Sequence, residues 1–399
     1  MTGTRRKPGL LGLHVEGYRA WLAGRGYAPP TVVNMLTVLG HLGRWMPGEG
    51  LVTAELGEDA MAAFVAAWLA AGRGRAPGPR GMRPLLSYLR EAGVTPAARP
   101  PQGPLEALLG DYRIWMVRER GLAAATVARY EGTARCFLQQ QAMAGGALKP
   151  AGLAGADVSA FLLRECGRVS AGSAKGRVAE LRAVLRFLYL RGLTPLRLET
   201  AVPPVGGWRL AGLPPRMTAA DVQLLLGSCD CSTGVGVRDF AIMTLAARLG
   251  LRSVEVARLE LRDVDWRAGE LVVRGKARRQ DRLPLPAEVG EALVAYLARG
   301  RVPAGSRRLF LTCRAPRGPI RAGLVGDVVE RACLRAGLPR VGPHRLRHAL
   351  AAELLRQGAG LAAISQVLRH QDLATTALYA KVDLDTLRQV AQPWPGTAR

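Results

Sequence analysis

The chain has 399 residues, of which 49% are hydrophobic, and its formal net charge is +25 because 56 lysines and arginines outnumber 31 aspartates and glutamates. The length allows two or three domains, and the charge indicates a polyanionic partner, nucleic acid before membrane, although arginine-rich codon usage also contributes. The longest apolar stretch, residues 61–72, is too short to span a bilayer and no secretory signal is apparent, so we expect a soluble cytoplasmic protein. Six cysteines without a CxxC pair or metal-like spacing are expected to be reduced thiols, with no metal site.

The first two hundred residues contain a weak internal repeat. The segment Tyr18-Arg19-Ala20-Trp21 reads like Tyr112-Arg113-Ile114-Trp115. Further along, Thr31-Val32 matches Thr126-Val127, and Leu86 to Leu89 match Leu185 to Leu188. Each copy has apolar residues three and four positions apart and no strand-like alternation, which is typical of about four short amphipathic helices. We therefore predict a helical domain over residues 1–100 and a second copy of it over residues 101–205, joined by linkers rich in proline and glycine.

Basic residues occupy the predicted outer faces of the second helical domain, and a helix with such a face can lie in the major groove of DNA. The candidates for DNA contact in this domain are Arg129, Lys175 and Arg177. The alternative is that the two domains are bundles that only pack together, with their tryptophans in the core rather than stacked on bases.

From residue 217 the pattern changes to helices with a small sheet. Helices are predicted near residues 219–226 and 238–249, and strands at residues 270–274, 281–285 and 308–312. The turn between the first two strands is basic, so its Arg278 and Arg279 join the candidates for DNA contact. These elements define a third, mostly α domain over residues 206–399.

The last part of this domain carries the residues that point most directly to chemistry, which are His344, Arg347, His370 and Tyr379. Gly342-Pro343 is a turn signal that predicts a helix start, with the first histidine and the arginine on one face of that helix. Further helices are predicted near residues 361–368 and 373–381. A basic cluster should therefore face a single phenol.

Together these features resemble the tyrosine recombinases, also called the phage integrase family. The resemblance rests on Arg252 within GLRSVEV, Lys276 in a β-turn, His344-x-x-Arg347, His370 and Tyr379, in this order. Each motif is weak by itself, but the ordered set is specific. The resemblance implies a mainly α fold, in which tandem small helical (SAM-like) DNA-binding domains precede a mixed α+β catalytic domain with a small antiparallel sheet.

Elementary chemistry fits these residue types. Breaking a phosphodiester reversibly without metal or nucleotide needs a nucleophile that conserves the bond energy in a covalent intermediate, and the phenol of Tyr379 suits this role. The pentavalent phosphorane needs nearby cations. Arg252 and Arg347 suit that role because an arginine forks onto two phosphate oxygens.

The resemblance supplies the remaining roles. It implies that His344 is a general acid or base, that Lys276 protonates the departing 5′ oxygen and that His370 hydrogen-bonds the scissile phosphate. The family forms a 3′-phosphotyrosine, exchanges strands in an assembly of four protomers and needs no cofactor. The implied partners are double-stranded DNA at the nucleoid, further copies of the chain in a tetrameric synapse, and an accessory directionality protein where one is used. The expected role is integration or excision of a mobile element.

Alternatives and departures from the family pattern stay open. A type IB topoisomerase shares the tyrosine chemistry, and a catalytically silent DNA-binding architectural protein would share the fold. Residues 1–100 do not resemble the small β-type arm-binding domain of many phage integrases, and we expect them to extend the DNA footprint or to mediate protomer contacts. A helix near residues 384–391 is expected to dock on a neighbouring protomer or on its own domain. Arg369 stands where the family often has glycine, and Glu255 is a candidate to hold Arg252 by hydrogen bonding.

Overall fold

The computed structural model describes residues 9–72, 79–97, 103–145, 149–169, 171–206, 217–275, 279–302 and 305–369. Contacts between Cα atoms group the chain into two compact units: one comprises Met1–Thr95 and Leu213–Arg399, and the other comprises Pro96–Gly212. The division into three domains at residues 100 and 205 stays a prediction. Among the described residues, no helix combines the length and the hydropathy that a membrane span requires.

The N-terminal part of the larger unit is built from short helices. They are α1, Val15–Gly24; α2, Pro29–Trp45; α3, Glu58–Ala70; and α4, Pro79–Glu91. Helix α2 begins with two prolines, whose fixed φ and missing N–H suit the first helical turn. The apolar faces of the helices enclose one core that includes Tyr18, Leu39, Phe64 and Leu89.

The smaller unit has a similar arrangement of helices. They are α5, Pro104–Arg118; α6, Ala124–Gly145; α7, Gly155–Cys166; and α8, Ala171–Leu190. Tyr112, which the repeat matches to Tyr18, is buried in the core of this unit just as Tyr18 is buried in the other. Leu89 and Leu188, also matched by the repeat, are both fully buried. The repeat in the sequence therefore reflects shared core positions.

The rest of the larger unit alternates helices with a small sheet. Its elements are α9, Ala219–Gly227; α10, Gly234–Arg248; α11, Ser253–Arg258; β1, Val264–Asp265; β2, Glu270–Arg274; β3, Gln280–Pro284; α12, Ala287–Ala295; α13, Ala322–Arg335; α14, His344–Arg356; and α15, Leu361–Leu368. Helix α10 is buried along most of its length, as expected of a helix that is apolar on nearly all sides. The core of this part forms around it.

The sheet is antiparallel in the order β1-β2-β3, with Leu271 of β2 opposite Leu283 of β3. The mainly α fold with a small antiparallel sheet is thus confirmed. The strand predicted at residues 308–312 is wrong, because Arg308 and Leu311 form isolated bridges to residues 260 and 319, two separate segments. No continuous ladder can extend along such a segment, and the third strand of the sheet is the short β1 instead.

Candidate active site

The structure describes three of the six predicted catalytic residues, Arg252, His344 and Arg347. The other three, Lys276, His370 and Tyr379, lie outside the described residues. The predicted DNA contact Arg278 also lies outside them. The described residues come from two places in the chain, the loop before α11 and the start of α14.

Arg252 is held by a buried carboxylate and remains partly exposed to solvent. It is the residue immediately before α11, and its backbone N–H donates to Oε2 of Glu255 at 2.8 Å while its Nη1 donates to Oε1 of the same carboxylate at 2.8 Å. The Arg252 side chain is 41% exposed, whereas that of Glu255 is 5% exposed. A buried carboxylate therefore fixes a guanidinium that can still reach an anion from solvent.

Glu255 carries a negative charge in spite of its burial. Burial alone would raise the pKa of this carboxyl, but the hydrogen bond from the Arg252 N–H and the positive charges of Arg369 and Arg252 hold the pKa below its ordinary value. Nη2 of Arg369 lies 3.0 Å from Oε2 of Glu255. The candidate role of Glu255 in holding Arg252 matches this geometry.

Arg347 lies in α14 and is completely enclosed. Its Nη1 donates to the carbonyl oxygen of Gly250 and its Nη2 donates to the carbonyl oxygen of Leu368. The side chain thus ties the loop before α11 to the end of α15. The sequence predicted that this arginine forks onto a phosphate, and in this structure such a contact requires neighbouring groups to move aside.

Gly250 makes this close packing sterically acceptable. Its φ is +59°, a left-handed conformation that favours glycine, and a Cβ added at this position would lie 2.8 Å from Cδ2 of Leu368. A larger residue at position 250 would therefore have to displace the buried side chain of Leu368 and adopt a left-handed backbone.

His344 is the first residue of α14, as the Gly342-Pro343 turn signal predicted, and its side chain is exposed to solvent. Partial desolvation lowers the pKa of its imidazole, and the positive charges of Arg347, Arg252 and Arg345 lower it further. The ring is therefore neutral at neutral pH and can accept a proton. Because both Arg252 and Arg347 act on its pKa, the three residues belong to one electrostatic neighbourhood.

Sequence reasoning missed the pairing of Glu255 with Arg369. Both residues had been noticed, one as a possible holder of Arg252 and the other as a departure from the family pattern. They are 114 positions apart, and no local pattern in the sequence connects them. The one signal in the sequence was an arginine at a position where the family often has glycine, and the structure shows that this arginine is buried and paired.

The predicted DNA contacts of the smaller unit converge on a buried carboxylate. Nε of Arg129 lies 3.0 Å from Oε1 of Glu180, and Nη1 of Arg177 lies 3.4 Å from its Oε2. Glu180 is 2% exposed and also accepts a hydrogen bond from the Thr133 hydroxyl at 2.5 Å. Lys175 lies exposed on the same helix as Arg177. In the larger unit, the exposed Arg279 pairs with Asp281 at 2.9 Å.

Comparison with known proteins places this site in a known class. Residues 215–385, which include the described site, match the model of the phage integrase family. The chain is 36% identical over 408 residues to an integrase/recombinase of Sinorhizobium fredii (strain NBRC 101917 / NGR234), y4rA, covering 99% of this chain and 97% of that protein. It is 33% identical over 298 residues to the tyrosine recombinase XerD of Mycobacterium tuberculosis (strain ATCC 25618 / H37Rv), covering 70% of this chain and 93% of that protein.

A solved structure shares the fold. The XerH site-specific recombinase, bound to a palindromic difH substrate in a post-cleavage complex, matches with a TM-score of 0.54 and 18% identity, over 97% of each chain. The sequence relatives thus define the class of the chain, a site-specific DNA recombinase of the tyrosine type, and the XerH structure shows its fold. The chain belongs to the phage integrase family, the tyrosine recombinases.

Proposed function

We propose that this site-specific recombinase cuts and rejoins DNA with Tyr379 as the nucleophile and Arg252, His344 and Arg347 as parts of the site that acts on the scissile phosphate. The observation that carries the proposal is the half-exposed guanidinium of Arg252, fixed by a buried carboxylate and close enough to a neutral histidine to lower its pKa. This arrangement offers a fixed positive charge and a proton acceptor in one electrostatic neighbourhood, which attack on a phosphodiester requires.

The proposed reaction proceeds in two balanced steps. The phenol of Tyr379 gives its proton to His344, the general acid or base near this nucleophile, and its oxygen attacks the phosphorus. The bond to the 5′ oxygen breaks, Lys276 gives that oxygen a proton, and a 3′-phosphotyrosine forms. In the second step a 5′-hydroxyl of another strand gives its proton to Lys276 and attacks the phosphorus, and the phenol leaves with the proton that His344 returns. Lys276, His370 and Tyr379 enter here on the family resemblance alone.

The two arginines and His370 would stabilise the phosphorane. Arg252 can donate to non-bridging oxygens directly, because its outer edge is exposed. Arg347 can do so only after its environment opens, because its guanidinium is enclosed and donates to two carbonyl oxygens. We propose that DNA binding brings about this change.

The proposed partner is double-stranded DNA, bound by several copies of the chain. The net charge of +25 supports this, and the substrate of XerH is palindromic, which matches a two-fold arrangement of protomers on one site. We propose a tetrameric synapse in the cytoplasm, at the nucleoid, that integrates or excises a mobile element. If the reaction must run in one direction, we propose that an accessory directionality protein takes part.

Within the DNA-binding surface, we propose that Arg129, Lys175 and Arg177 contact phosphates. Glu180 supports this role because a buried carboxylate restricts the rotamers of the two arginines that it pairs with. Arg278 and Arg279 are proposed to contact DNA from the β2–β3 turn.

The N-terminal domain, proposed as residues 1–100 ahead of domains at 101–205 and 206–399, differs from the second helical domain in one respect. In the repeat, Arg129 matches Asn34, Thr133 matches Val38 and Glu180 matches Gly81. The N-terminal domain therefore lacks the carboxylate that holds arginines in the other copy. Of the two roles expected for this domain, a larger DNA footprint and contacts between protomers, this difference favours protomer contacts.

Deleting residues 1–100 tests this assignment. The expected result is impaired assembly of protomers on DNA, measured by band shifts and analytical ultracentrifugation, with little change in the footprint of a single protomer. Unchanged footprint, affinity and assembly would refute both roles.

The principal experiment uses suicide DNA substrates taken from sequence that flanks the gene and nicked near candidate sites. Denaturing gels should show a covalent protein–DNA adduct with the wild type and none with Tyr379→Phe, and the adduct should be on a 3′ phosphate. Relaxation of supercoiled DNA without exchange between two sites would indicate a topoisomerase instead. Binding without an adduct, across several sites and nick positions, would refute the proposed chemistry.

A further inference from the structure

Arg369 has an unusual backbone conformation for its side chain. It ends α15 with φ 54° and ψ 47°, in the left-handed region, and among the described residues it is the one non-glycine with a positive φ. A side chain in this conformation costs energy relative to glycine, and the family often has glycine at this position. The arginine must therefore gain interactions that glycine cannot make.

Those interactions lie inside the protein. Nη2 of Arg369 donates to Oε2 of Glu255 at 3.0 Å, and both side chains are almost completely buried. Nη1 of Arg369 donates to the carbonyl oxygens of Val367 at 3.2 Å and Leu249 at 3.5 Å. The guanidinium therefore links the end of α15 to the loop and helix that carry Arg252.

Glu255 is shared between two arginines. Its Oε1 accepts from Nη1 of Arg252, and its Oε2 accepts from the backbone N–H of Arg252 and from Arg369. The carbonyl oxygen of Arg369 in turn accepts from Nη2 of Arg252 at 3.5 Å. Arg252 is thus fixed by the side chain of Glu255 and by the main chain of Arg369, and the left-handed turn brings Arg369 into contact with both.

The net charge of Arg252, Glu255 and Arg369 affects how strongly Arg252 can attract an anion. Arg252 and Glu255 alone form a neutral pair, in which the buried carboxylate draws the guanidinium inward and weakens its field. With Arg369 the group of three carries one net positive charge. Arg369 therefore satisfies the carboxylate and leaves the charge of Arg252 available to an anion at its exposed edge.

We propose that Arg369 is a positioning residue that fixes Arg252 and sustains its positive charge toward the scissile phosphate. The proposal rests on the proposed role of Arg252. Arg369 acts through its ion pair with Glu255 and through its own carbonyl oxygen. Glycine at this position could form the same left-handed turn but not the ion pair.

The test measures single-turnover cleavage of the nicked suicide substrate by the full chain. Arg369→Gly should fold well, because glycine suits the left-handed turn, but it should cleave about 10-fold more slowly while its affinity for the DNA stays within about 2-fold of wild type. Arg369→Lys keeps the charge and should retain most of the rate. Arg331→Ala is the matched control: it removes an arginine that lies 3.3 Å from the buried carboxylate of Asp239, and it should leave the rate unchanged.

A double-mutant cycle separates positioning from a general structural effect. In an Arg252→Lys background, Arg369→Gly should slow cleavage by less than about 2-fold, because the group that it positions is gone. A wild-type rate for Arg369→Gly, or an equal loss in both backgrounds, would overturn the proposal. If the wild type itself forms no adduct, the proposed function fails instead, so the two failures are distinguishable.

Discussion

Substitution of Gly250 by alanine should damage the site through packing, and the structure sets the size of the effect. The added Cβ would lie 2.8 Å from Cδ2 of Leu368 and 3.2 Å from Cδ2 of Leu350, and the residue would also keep a φ of +59°. The left-handed conformation costs about 1–2 kcal/mol and overpacking costs about 1–3 kcal/mol more. We therefore expect Gly250→Ala to lower the free energy of unfolding by about 2–5 kcal/mol.

A glycine with the same backbone conformation but open surroundings provides the control. Gly269, between β1 and β2, has a φ of +63°, and a Cβ added there meets no atom within 4 Å. Gly269→Ala should therefore cost only the backbone strain, about 1–2 kcal/mol. Urea unfolding of both variants, together with the single-turnover cleavage assay, isolates the packing contribution.

The same substitution should also reduce cleavage, because it disturbs a carbonyl to which Arg347 donates. Cγ of Arg347 lies 3.5 Å from the position of the added Cβ, so the side chain cannot keep its place if Gly250 shifts. Gly269→Ala should cleave at the wild-type rate. If the two alanine variants proved equally stable and equally active, the packing around Gly250 would contribute neither to stability nor to cleavage.

Three further predictions concern charge. Because the pKa of His344 is lowered, the unfolded chain binds more protons than the folded chain at pH values between that pKa and the ordinary value of 6.5. The free energy of unfolding should therefore fall as the pH falls through this window. Thermal unfolding across pH should show a smaller fall for His344→Gln than for the wild type. Equal slopes would contradict the partial desolvation of the imidazole. Arg129→Ala or Arg177→Ala should weaken DNA binding and reduce the slope of log affinity against log salt by about 1, and an unchanged slope would exclude a phosphate contact. Glu255→Gln removes the negative charge from beside the buried Arg369 and should cost about 3–5 kcal/mol in urea unfolding, whereas a near-neutral result would mean that the arginine escapes to solvent.

Much of the fold followed from local signals in the sequence. A turn signal at Gly342-Pro343 predicted the start of α14, and α15 spans the predicted residues 361–368. These predictions succeed because helix starts and apolar periodicity are properties of neighbouring residues. The strand predicted at residues 308–312 fails for the complementary reason. Strand formation needs a partner, and this segment meets different partners at its two ends.

The sequence supplied candidate residues for the site but not their contacts. It proposed Arg252, His344 and Arg347, which the structure brings into one electrostatic neighbourhood. It gave no indication that Arg347 donates to two main-chain carbonyls. Nor did it connect Glu255 with Arg369, because an ion pair across 114 residues leaves no periodic trace. Contacts between distant segments come from tertiary packing, which local patterns do not encode.

The arginines of this site serve as structural ties as well as candidate sources of positive charge. Arg347 donates to the carbonyl of Leu368, and Arg252 donates to the carbonyl of Arg369, the last two residues before the predicted catalytic His370. These contacts make both arginines part of the packing at the end of α15. Arg347 is enclosed by that packing, whereas Arg252 keeps an exposed edge. Of the two, Arg347 is therefore the one that must give up structural hydrogen bonds before its guanidinium can reach an anion.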